Sequence, residues 1–590
     1  MTPAEALDKV VAAVEAEGVR LRAEFYAPQG PRGRRGSCPA DREIEQRLQV
    51  ALQALIPARF CGEECSATPG TLEGWVWLVD PHDGTFEFTA GRRGSAVSVG
   101  LLRDGEPVLG VVHAPDAPDC GPDTVAWAEG AGPIRRNGVA VTTDLRTETP
   151  APGKLVWATA SAAQRPEMWS RAVLPARYLA MPSIAYRLAR VAAGDGIATV
   201  SIHGVNEYDI AAGMALVRAA GGMLLDAQGV EIRLEGNPER RVSGCFAGAR
   251  QAVQQLAQFD WTRLETEPRR EPRVTLGFPR PRDSRLARAQ GTLLGQVIGD
   301  SLGARVEMKP AAEIAALFPG GVRELGDGGV HHTMAGQPTD DSEMALALAR
   351  SIVRERKYEA EKVLDAYRAW LTSRPVDVGV TTERGLLGLN TTESESNGSL
   401  MRVAPIGVWA AGDPALAART ARDDSALTHS GPACLEACAA YCAAIAAGVA
   451  GADRDAMIEA ALAHAKGPAH EAVKRAAKGI PPADFFTHMG WVLVALQNAF
   501  WCLKHLDFEE ALVETVGRGG DTDTNAAITG ALLGSLHGRS AIPRRWILPV
   551  LACRPLSDAG ALRPRPVEYW PDDILDLAEA LLLIRGRSPN

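Results

Sequence analysis

The sequence predicts a multidomain protein, an α/β layered domain (αβαβα) followed by an all-α domain, and three observations carry that prediction. A chain of 590 residues is too long for one hydrophobic core. Before residue 260, apolar segments of strand length (VWLVD, AVSVGLL, PVLGVVHA) alternate with helical stretches, the pattern of an α/β domain. After residue 285, RAQGTLLGQVIGDSLGA, EMALALARSIV, ACLEACAAYCAAIAAG and NAAITGALLGSLHG repeat their apolar residues at helical spacing, which reads as all-α. The domains are placed at 1–260 and 285–590. Between them, residues 261–284 are rich in Pro and Arg without lasting periodicity and read as a semi-rigid, solvated linker.

The first 26 residues, MTPAEALDKVVAAVEAEGVRLRAEFY, read as an amphipathic helix. They lack the basic start and unbroken apolar run of a signal peptide. The apolar fraction of 46% and charged fraction of 23% are ordinary for soluble protein. A net charge of −9 argues against a DNA binder, yet leaves room for a nucleotide-sized substrate, because bound cations supply positive charge locally. No run of about 18 apolar residues is read, so no membrane span is expected. Ten cysteines without dense pairing fit a reducing cytoplasm. Cys434, Cys438 and Cys442 share a helical face, but their Ala, Leu and Tyr neighbours mark them as packing residues rather than zinc ligands.

The densest chemistry of the first half is GWVWLVDPHDGTFEF, residues 74–88. A strand ends at Asp80, and Pro81 and Gly84 turn the chain so that Asp80 and Asp83 come together. Two carboxylates side by side repel unless a hard cation sits between them. Thr85 follows with a hydroxyl placed to orient a water, and Glu63, Glu64 and Asp209 offer further acids. With GEE, DPxDGT and the D-x-A-A-G segment after SIAYRLARVAAGDG, residues 1–258 resemble the inositol monophosphatase superfamily. The resemblance implies that Glu63, Asp80 and the carbonyl of His82 hold one magnesium, and Asp80, Asp83 and Asp209 a second. It also implies that Thr85 and Asp41 activate the attacking water, with paired cations neutralising the phosphate and lowering the water's pKa. DGTFEF, the GLLRDGEPVLGVVHAP hairpin with its Asp104-Gly105 turn and Glu207-Tyr208-Asp209 look most like the 3′(2′),5′-bisphosphate nucleotidases, with Glu207 as a substrate contact. That subfamily usually has tryptophan at Tyr208 and commonly lysine at Phe86, which leaves the exact substrate open.

In the second half, two segments interrupt the Ala/Leu background: Thr339-Asp340-Asp341 at the start of SEMALALARSIV, and Asp521, Asp523 and Thr524 in GRGGDTDTNAAITGALLG. Acids at a helix start can simply complement its dipole, but two such clusters with flanking glycines point to a ligand. From Arg285 to the end, GQVIGDSLGARVE, TDDSEMALALA, SNGSLMRVAPIG, THSGPACLEA and GRGGDTDTNAAITGALLG resemble the ADP-ribosylglycohydrolase family. The resemblance implies that Thr339, Asp340, Asp341, Asp521, Asp523 and Thr524 bind two magnesium ions that hold the distal ribose. It places Asn397, Gly398 and Ser399 against the ADP-ribose and Glu307 as a mobile acid near the scissile bond. Cleaving a ribosyl bond needs stabilisation of an oxocarbenium-like centre and a delivered water. His331 and His332 lack the companions of a zinc site, and Asp300 reads as a buried acid bonded to backbone.

The sequence therefore predicts a cytoplasmic bifunctional hydrolase with two Mg²⁺ per domain, acting on nucleotide-type small molecules or ADP-ribosylated protein. Two alternatives stay open: independent activities, namely adenosine 3′,5′-bisphosphate clearance and protein de-ADP-ribosylation, or one half serving only as an ADP-ribose-binding module.

Overall fold

The computed structural model describes residues 1–590 apart from 35, 65–73, 236–239, 266, 282–283 and 587–590. The chain divides into two units, one of residues 1–272 with 277–280 and one of 273–276 with 281–590.

In the first unit, Thr2 opens α1 (Pro3–Phe25) with a reciprocal capping box to Glu5, satisfying two orphan donors of the helix start. The helix buries Leu7, Val10, Val14, Leu21 and Phe25, a stripe at helical spacing. A second helix, α2 (Pro39–Leu55), buries Asp41, Ile44, Glu45, Leu48 and Leu52. A seven-stranded sheet runs in sequence order through β1 (Arg59–Gly62), β2 (Trp75–Asp83), β3 (Ala96–Arg103), β4 (Glu106–Ala117), β5 (Gly121–Ala128), β6 (Arg135–Arg136) and β7 (Val139–Ala140). Only β1 and β2 are parallel among these pairs. Between β2 and β3 lies the short helix α3 (Thr85–Thr89).

The remaining strands are β8 (Leu155–Ala158), β9 (Arg177–Ala180), β10 (Ala198–Ser201), β11 (Val205–Asn206), β12 (Met223–Leu225), β13 (Arg241–Val242) and β14 (Cys245–Gly248). Five of them form a second sheet in the order β12-β14-β10-β8-β9, and β11 pairs with β13. Four helices accompany them: α4 (Pro166–Ala172), α5 (Ile184–Ala192), α6 (Glu207–Ala219) and α7 (Arg250–Gln258). Ser183 caps α5 through the Tyr186 amide.

Several side chains of the segment expected to be solvated are instead paired. Within the first unit Glu267 accepts from Met168 N at 3.2 Å and pairs with Arg171, and Arg270 pairs with Glu167. Phe278 meets Phe25 edge-on at 5.9 Å. Within the second unit Arg273 pairs with Asp572 and with Asp573, the latter at 3.2 Å.

The second unit is helical throughout its named elements. Two helices set its centre: α8 (Ser284–Gly303) and the helix Thr522–His537. Gly291, Gly295, Gly299 and Gly303 face the backbone of Gly534, Gly530, Ala526 and Thr522, so closely that a Cβ at any of the four would collide with it. Four glycines at a spacing of four line one helical face, and their missing side chains let the two helix axes approach. Thr522 Oγ1 then donates to Gly303 O at 2.7 Å. Two further helices, α9 (Ala311–Leu317) and α10 (Asp340–Glu355), follow α8. The helix Pro432–Ala450 is long and apolar enough to cross a membrane, against the expectation that no such stretch exists. Most of it is buried inside the unit, which is how a core helix passes the same test. Cys434, Cys438 and Cys442 lie on it, all buried, with their thiols turned to Ser394 O and Ser396 O, Ser399 Oγ and Val403 O. They pack, as expected.

Candidate functional site

The first acid cluster is built by an irregularity in β2. Along a regular strand, residues 80 and 83 would point to opposite faces. Here β2 continues to Asp83, and its register against β3 slips between Asp80, opposite Ser98, and Asp83, opposite Ala96. Three steps on β2 match two on β3, the bulge that re-aims a side chain. The pairing of the two acids thus comes from a bulge inside the strand rather than a turn after it. Gly84, at φ 96°, then starts α3, a conformation that side chains resist.

Backbone amides fix three of the acids. His82 N donates to Asp80 Oδ1 at 2.8 Å. Asp83 Oδ2 accepts from Ser183 Oγ at 2.6 Å and from Ala185 N at 2.7 Å. Asp209, in the first turn of α6, accepts from Asn206 N at 2.7 Å. Burial pushes Glu63 up to about 7, and Asp83 and Glu64 add repulsion while its hydrogen bond with Asp80 works the other way. Burial holds Asp80 well above the carboxylate range, reinforced by Glu63, Asp83 and Asp209. Burial and then Asp83 do the same to Asp209. Four acids whose ionisation is opposed by desolvation, three of them (Glu63, Asp80 and Asp209) also by neighbouring acids, fit a site for hard cations, which would reverse both effects.

Asp41 and Thr85 both hold His82. Asp41 Oδ1 is 2.7 Å from His82 Nδ1, and Thr85 Oγ1 donates to His82 O at 2.7 Å. The His82 carbonyl keeps a second lone pair for a cation. Glu207 departs from expectation. It is fully buried and accepts from Glu235 N at 2.7 Å and Arg240 at 3.1 Å. Its first-turn position on α6 turns it toward the segment after β12, so its carboxylate is engaged within the protein.

The second cluster gathers at the starts of α10 and the helix Thr522–His537. Asp300, on α8, accepts from Thr339 N and Ser342 N at 3.1 Å and so caps α10 from outside, the backbone-bonded role expected of it. Thr339 Oγ1 lies 3.0 Å from Asp300 Oδ1 and 2.9 Å from Asp341 Oδ2. The other oxygen, Asp341 Oδ1, is buried with no hydrogen-bond partner among the described residues. Asn397 Nδ2 donates to Asp521 Oδ2 at 2.7 Å, and Thr524 N to Asp523 Oδ1 at 2.9 Å. Burial holds Asp340, Asp341 and Asp523 well above the carboxylate range, with Asp377 the next cause for Asp340, Asp340 for Asp341 and Glu307 for Asp523. An orphaned carboxylate oxygen among mutually repelling acids fits a divalent cation.

Glu307 is stitched to this cluster through backbone: Met308 N donates to Gly520 O at 2.9 Å and Gly520 N to Lys309 O at 3.0 Å. Its Oε2 lies 2.7 Å from His331 Nε2, and ligand atoms of Glu307, His331 and Asp523 are all within 4.8 Å of one another.

The inositol monophosphatase family profile matches residues 38–258, and the ADP-ribosylglycohydrolase profile matches 281–589. An ADP-ribosyl-dinitrogen reductase glycohydrolase of Rhodospirillum rubrum is 33% identical over 276 residues, 44% of this chain and 89% of its own length. An ADP-ribosylarginine hydrolase of Pseudomonas putida is 25% identical over 280 residues, 44% of this chain and 74% of its own. A probable inositol 1-monophosphatase of Mycobacterium tuberculosis is 35% identical over 198 residues, 32% of this chain and 70% of its own. The chain joins an inositol monophosphatase family domain to an ADP-ribosylglycohydrolase family domain. Both are hydrolase families.

Within the ADP-ribosylglycohydrolase domain, the structure adds residues that sequence reasoning missed and redirects others. Ser399 has its hydroxyl turned inward, within 2.8 Å of Ser425 Oγ and 3.4 Å of Cys438 Sγ, so it secures the loop. Gly398 is packed against His429 and Thr382, whose nearest atoms would stand 3.0 Å from a Cβ there. Asn397 is the member of the trio that reaches the acids. His331, weighed only as a zinc ligand, meets Glu307. Asp377, in the loop SRPVDVGV, faces both Asp340 and His331 electrostatically, and a lone acid in a loop has no sequence signal. In the inositol monophosphatase domain Ser183 was missed as a partner of Asp83, although Ser before an apolar helix is a recognisable cap signal.

Proposed function

We propose that the chain is a bifunctional magnesium-dependent hydrolase: a phosphate-monoester hydrolase acting on a 2′- or 3′-phosphorylated adenosine compound, and a glycohydrolase releasing ADP-ribose from modified protein. One observation supports both halves: each domain gathers four carboxylates (Glu63, Asp80, Asp83 and Asp209; Asp340, Asp341, Asp521 and Asp523) whose charged forms desolvation opposes, with Asp80, Asp340, Asp341 and Asp523 buried and the other four more open. Bound divalent ions supply charge neutralisation, activation of water and stabilisation of a leaving or developing oxygen. The chain's own residues do the rest. Thr85 donates its hydroxyl hydrogen bond to the His82 carbonyl, so its oxygen is left to accept from a water and orient it. In the second domain Glu307 is proposed at the scissile bond, and Asn397 fixes Asp521. Relatives named for ADP-ribosylated dinitrogen reductase and for ADP-ribosylarginine favour a protein arginine as acceptor. A module that only read ADP-ribose would not need a complete acid cage.

The test is phosphate release and ADP-ribose release measured on one full-length chain. Asp83→Asn should cut phosphate release by about a thousandfold or more and spare ADP-ribose release, with Asp523→Asn doing the reverse. Unchanged release in the matching assay sinks that half of the proposal. A shared substrate would explain the fusion: a 2′-phospho-ADP-ribosyl conjugate offers one bond to each domain, and tethering raises the effective concentration at the second site. Intact chain should then strip such a conjugate faster than an equimolar mixture of the Asp83→Asn and Asp523→Asn chains. Equal rates favour two independent hydrolases, the first clearing adenosine 3′,5′-bisphosphate.

A further inference from the structure

The two-stranded ribbon that leads into α6 carries adjacent arginines with opposite surroundings. β11 runs straight into α6, whose first turn holds Asp209, and β13 lies antiparallel beside it with Arg241 opposite Asn206. Residues directly opposite on such a ribbon share a face, with Cα atoms roughly 4.5–5.5 Å apart. Asn206 is tied to the edge of the acid cage: its N–H donates to Asp209 Oδ2 at 2.7 Å and its Nδ2 to Tyr208 Oη at 2.8 Å. Arg241 therefore borders the cage from the ribbon. Electrostatics agree. Burial and neighbouring acids push the Tyr208 phenol and the Asp209 carboxyl up, and Arg241 works against both shifts. Arg240 pairs with Glu207 at 3.1 Å and Glu235 at 3.0 Å. Arg241, which is exposed, pairs with no carboxylate among the described residues. Its Nη2 donates to Gly204 O at 2.8 Å, and a Cβ at Gly204 would stand 3.4 Å from its Nε, so the guanidinium is laid on the residue before β11. The remaining donors of its fork have no partner among the described residues.

We infer that Arg241 binds a second phosphate group of the substrate, one that is not hydrolysed, and so sets the first domain's preference between substrates with one phosphate and with two. This rests on the reading of that domain as a phosphatase whose reacting phosphate sits at the cage beside Asp209. The charge balance favours it. Cations at the cage answer the reacting phosphate, but a further phosphate on the leaving group lies beyond them and needs its own counter-charge. A guanidinium fork matches phosphate oxygens with paired, charge-assisted hydrogen bonds. An arginine kept beside a cage of acids without an ion pair to any of them has that fork to offer. On a nucleotide of the proposed type the second group is the 5′-phosphate, which a ribose separates from the 2′- or 3′-position. No bond is made or broken at Arg241. Ground state and transition state hold this phosphate alike, so its contribution belongs in KM rather than kcat.

The test measures phosphate release by the full-length protein in saturating magnesium from two substrates that differ by one phosphate, adenosine 3′,5′-bisphosphate and adenosine 3′-monophosphate. The readout is the ratio of their kcat/KM values. A lower folded or metal-loaded fraction scales both values together, so a variant that merely folds poorly keeps the wild-type ratio. Wild type should favour the bisphosphate by about tenfold or more, the loss expected for a charge-assisted contact. Arg241→Gln should lower the ratio by about tenfold, through a raised KM for the bisphosphate. Arg241→Lys, which keeps the charge without the fork, should fall between the two. Added salt should shrink the preference of wild type more than that of Arg241→Gln, because an exposed ionic contact is screened. An equal ratio in wild type and Arg241→Gln overturns the assignment, as does a fall confined to kcat and common to both substrates. If wild type cleaves neither nucleotide, the adenosine reading fails, and the same ratio for inositol 1,4-bisphosphate over inositol 1-phosphate then judges Arg241.

Discussion

Replacing Gly299 by alanine tests whether the close approach of α8 to the helix Thr522–His537 is what positions the second acid cluster. A Cβ at Gly299 would stand 2.7 Å from Ala527 N and closer still to the carbonyl of Ala526, where ~3.5 Å or more is comfortable. Both obstacles are backbone, so no side chain can swing away and the helices must part by about an ångström. Overpacking of this kind costs about 1–3 kcal/mol, and alanine's better helix propensity returns at most about 1 kcal/mol. The larger effect should be on turnover. Asp521 caps the partner helix and Asp523 lies in its first turn, three residues before the clash, and a misplacement of about 1 Å can cost roughly a hundredfold in rate. The assay is ADP-ribose release against phosphate release in the same sample, with thermal unfolding alongside. The expected result is ADP-ribose release down by about a hundredfold, phosphate release unchanged, and an unfolding midpoint lower by a few degrees. Gly517→Ala is the control, since no atom lies within 4 Å of its added Cβ and alanine should be neutral or slightly stabilising. If Gly299→Ala releases ADP-ribose like wild type, the glycine ridge does not hold the site and the reasoning is refuted.

Three further outcomes follow from particular contacts. His331→Ala removes the 2.7 Å partner of Glu307 and should lower kcat for ADP-ribose release by about tenfold with KM little changed, while His331→Gln, which keeps a donor, restores much of it. Glu307→Gln should slow turnover more than it weakens ADP-ribose binding, and the reverse pattern would make Glu307 a positioning residue. Burial lowers His113 from 6.5 to about 4, against the pull of Glu15 and Asp123. The unfolded chain therefore binds this proton more readily, so the stability is complete above pH 6.5 and lost as pH falls to about 4, worth roughly 3 kcal/mol. His113→Gln should flatten that loss in urea unfolding across the window, and an unchanged slope removes His113 as its source. Asp80→Asn should abolish phosphate release yet stabilise the chelator-treated protein by about 1–2 kcal/mol, because it removes one of four opposed charges. If chelator-treated wild type and variant unfold together, the cage is not electrostatically strained.

Much of this was legible in the sequence because it is local. Asp80, Asp83 and Thr85 lie within six residues, and Thr339, Asp340 and Asp341 are consecutive, so a motif carries them whatever the tertiary structure. The division into an α/β half and a helical half was legible because periods of 2 and 3.6 are written into the apolar residues. What escaped depends on chain segments meeting. His331 reaches Glu307 across 24 intervening steps of sequence, and nothing in GGVHHTM announces it. Asp377 approaches Asp340 from a loop. Glu207 sits two residues from Asp209, yet the turn of α6 sends its carboxylate into protein, because residues two apart on a helix point about 160° apart. The strand was expected to stop at Asp80 because Pro81 lacks a donor, but a bulge accommodates it. Pro432–Ala450 was not read as an apolar span because Glu436 interrupts the run.

The two sites solve one physical problem alike, and this explains why the bonding around them matters as much as the acids. A buried carboxylate needs partners. An arginine or lysine would supply charge but would also fill the place of a cation. Here neutral donors fix the acids: His82 N for Asp80, Ala185 N and Ser183 Oγ for Asp83, Asn206 N for Asp209, Asn397 Nδ2 for Asp521 and Thr524 N for Asp523. Such bonds set the direction of a carboxylate without neutralising it, so its charge stays available to an ion, and Asp341 even keeps one oxygen unbonded. It follows that Ser183→Ala and Asn397→Ala should each raise the magnesium concentration needed for half-maximal activity, one for phosphate release and the other for ADP-ribose release. The expected shift is about tenfold, as for loss of a ligand's hydrogen-bond partner, with the rate largely recovered at high magnesium. A variant that lost rate at all magnesium concentrations would show the donor acting on the reaction rather than on the cage.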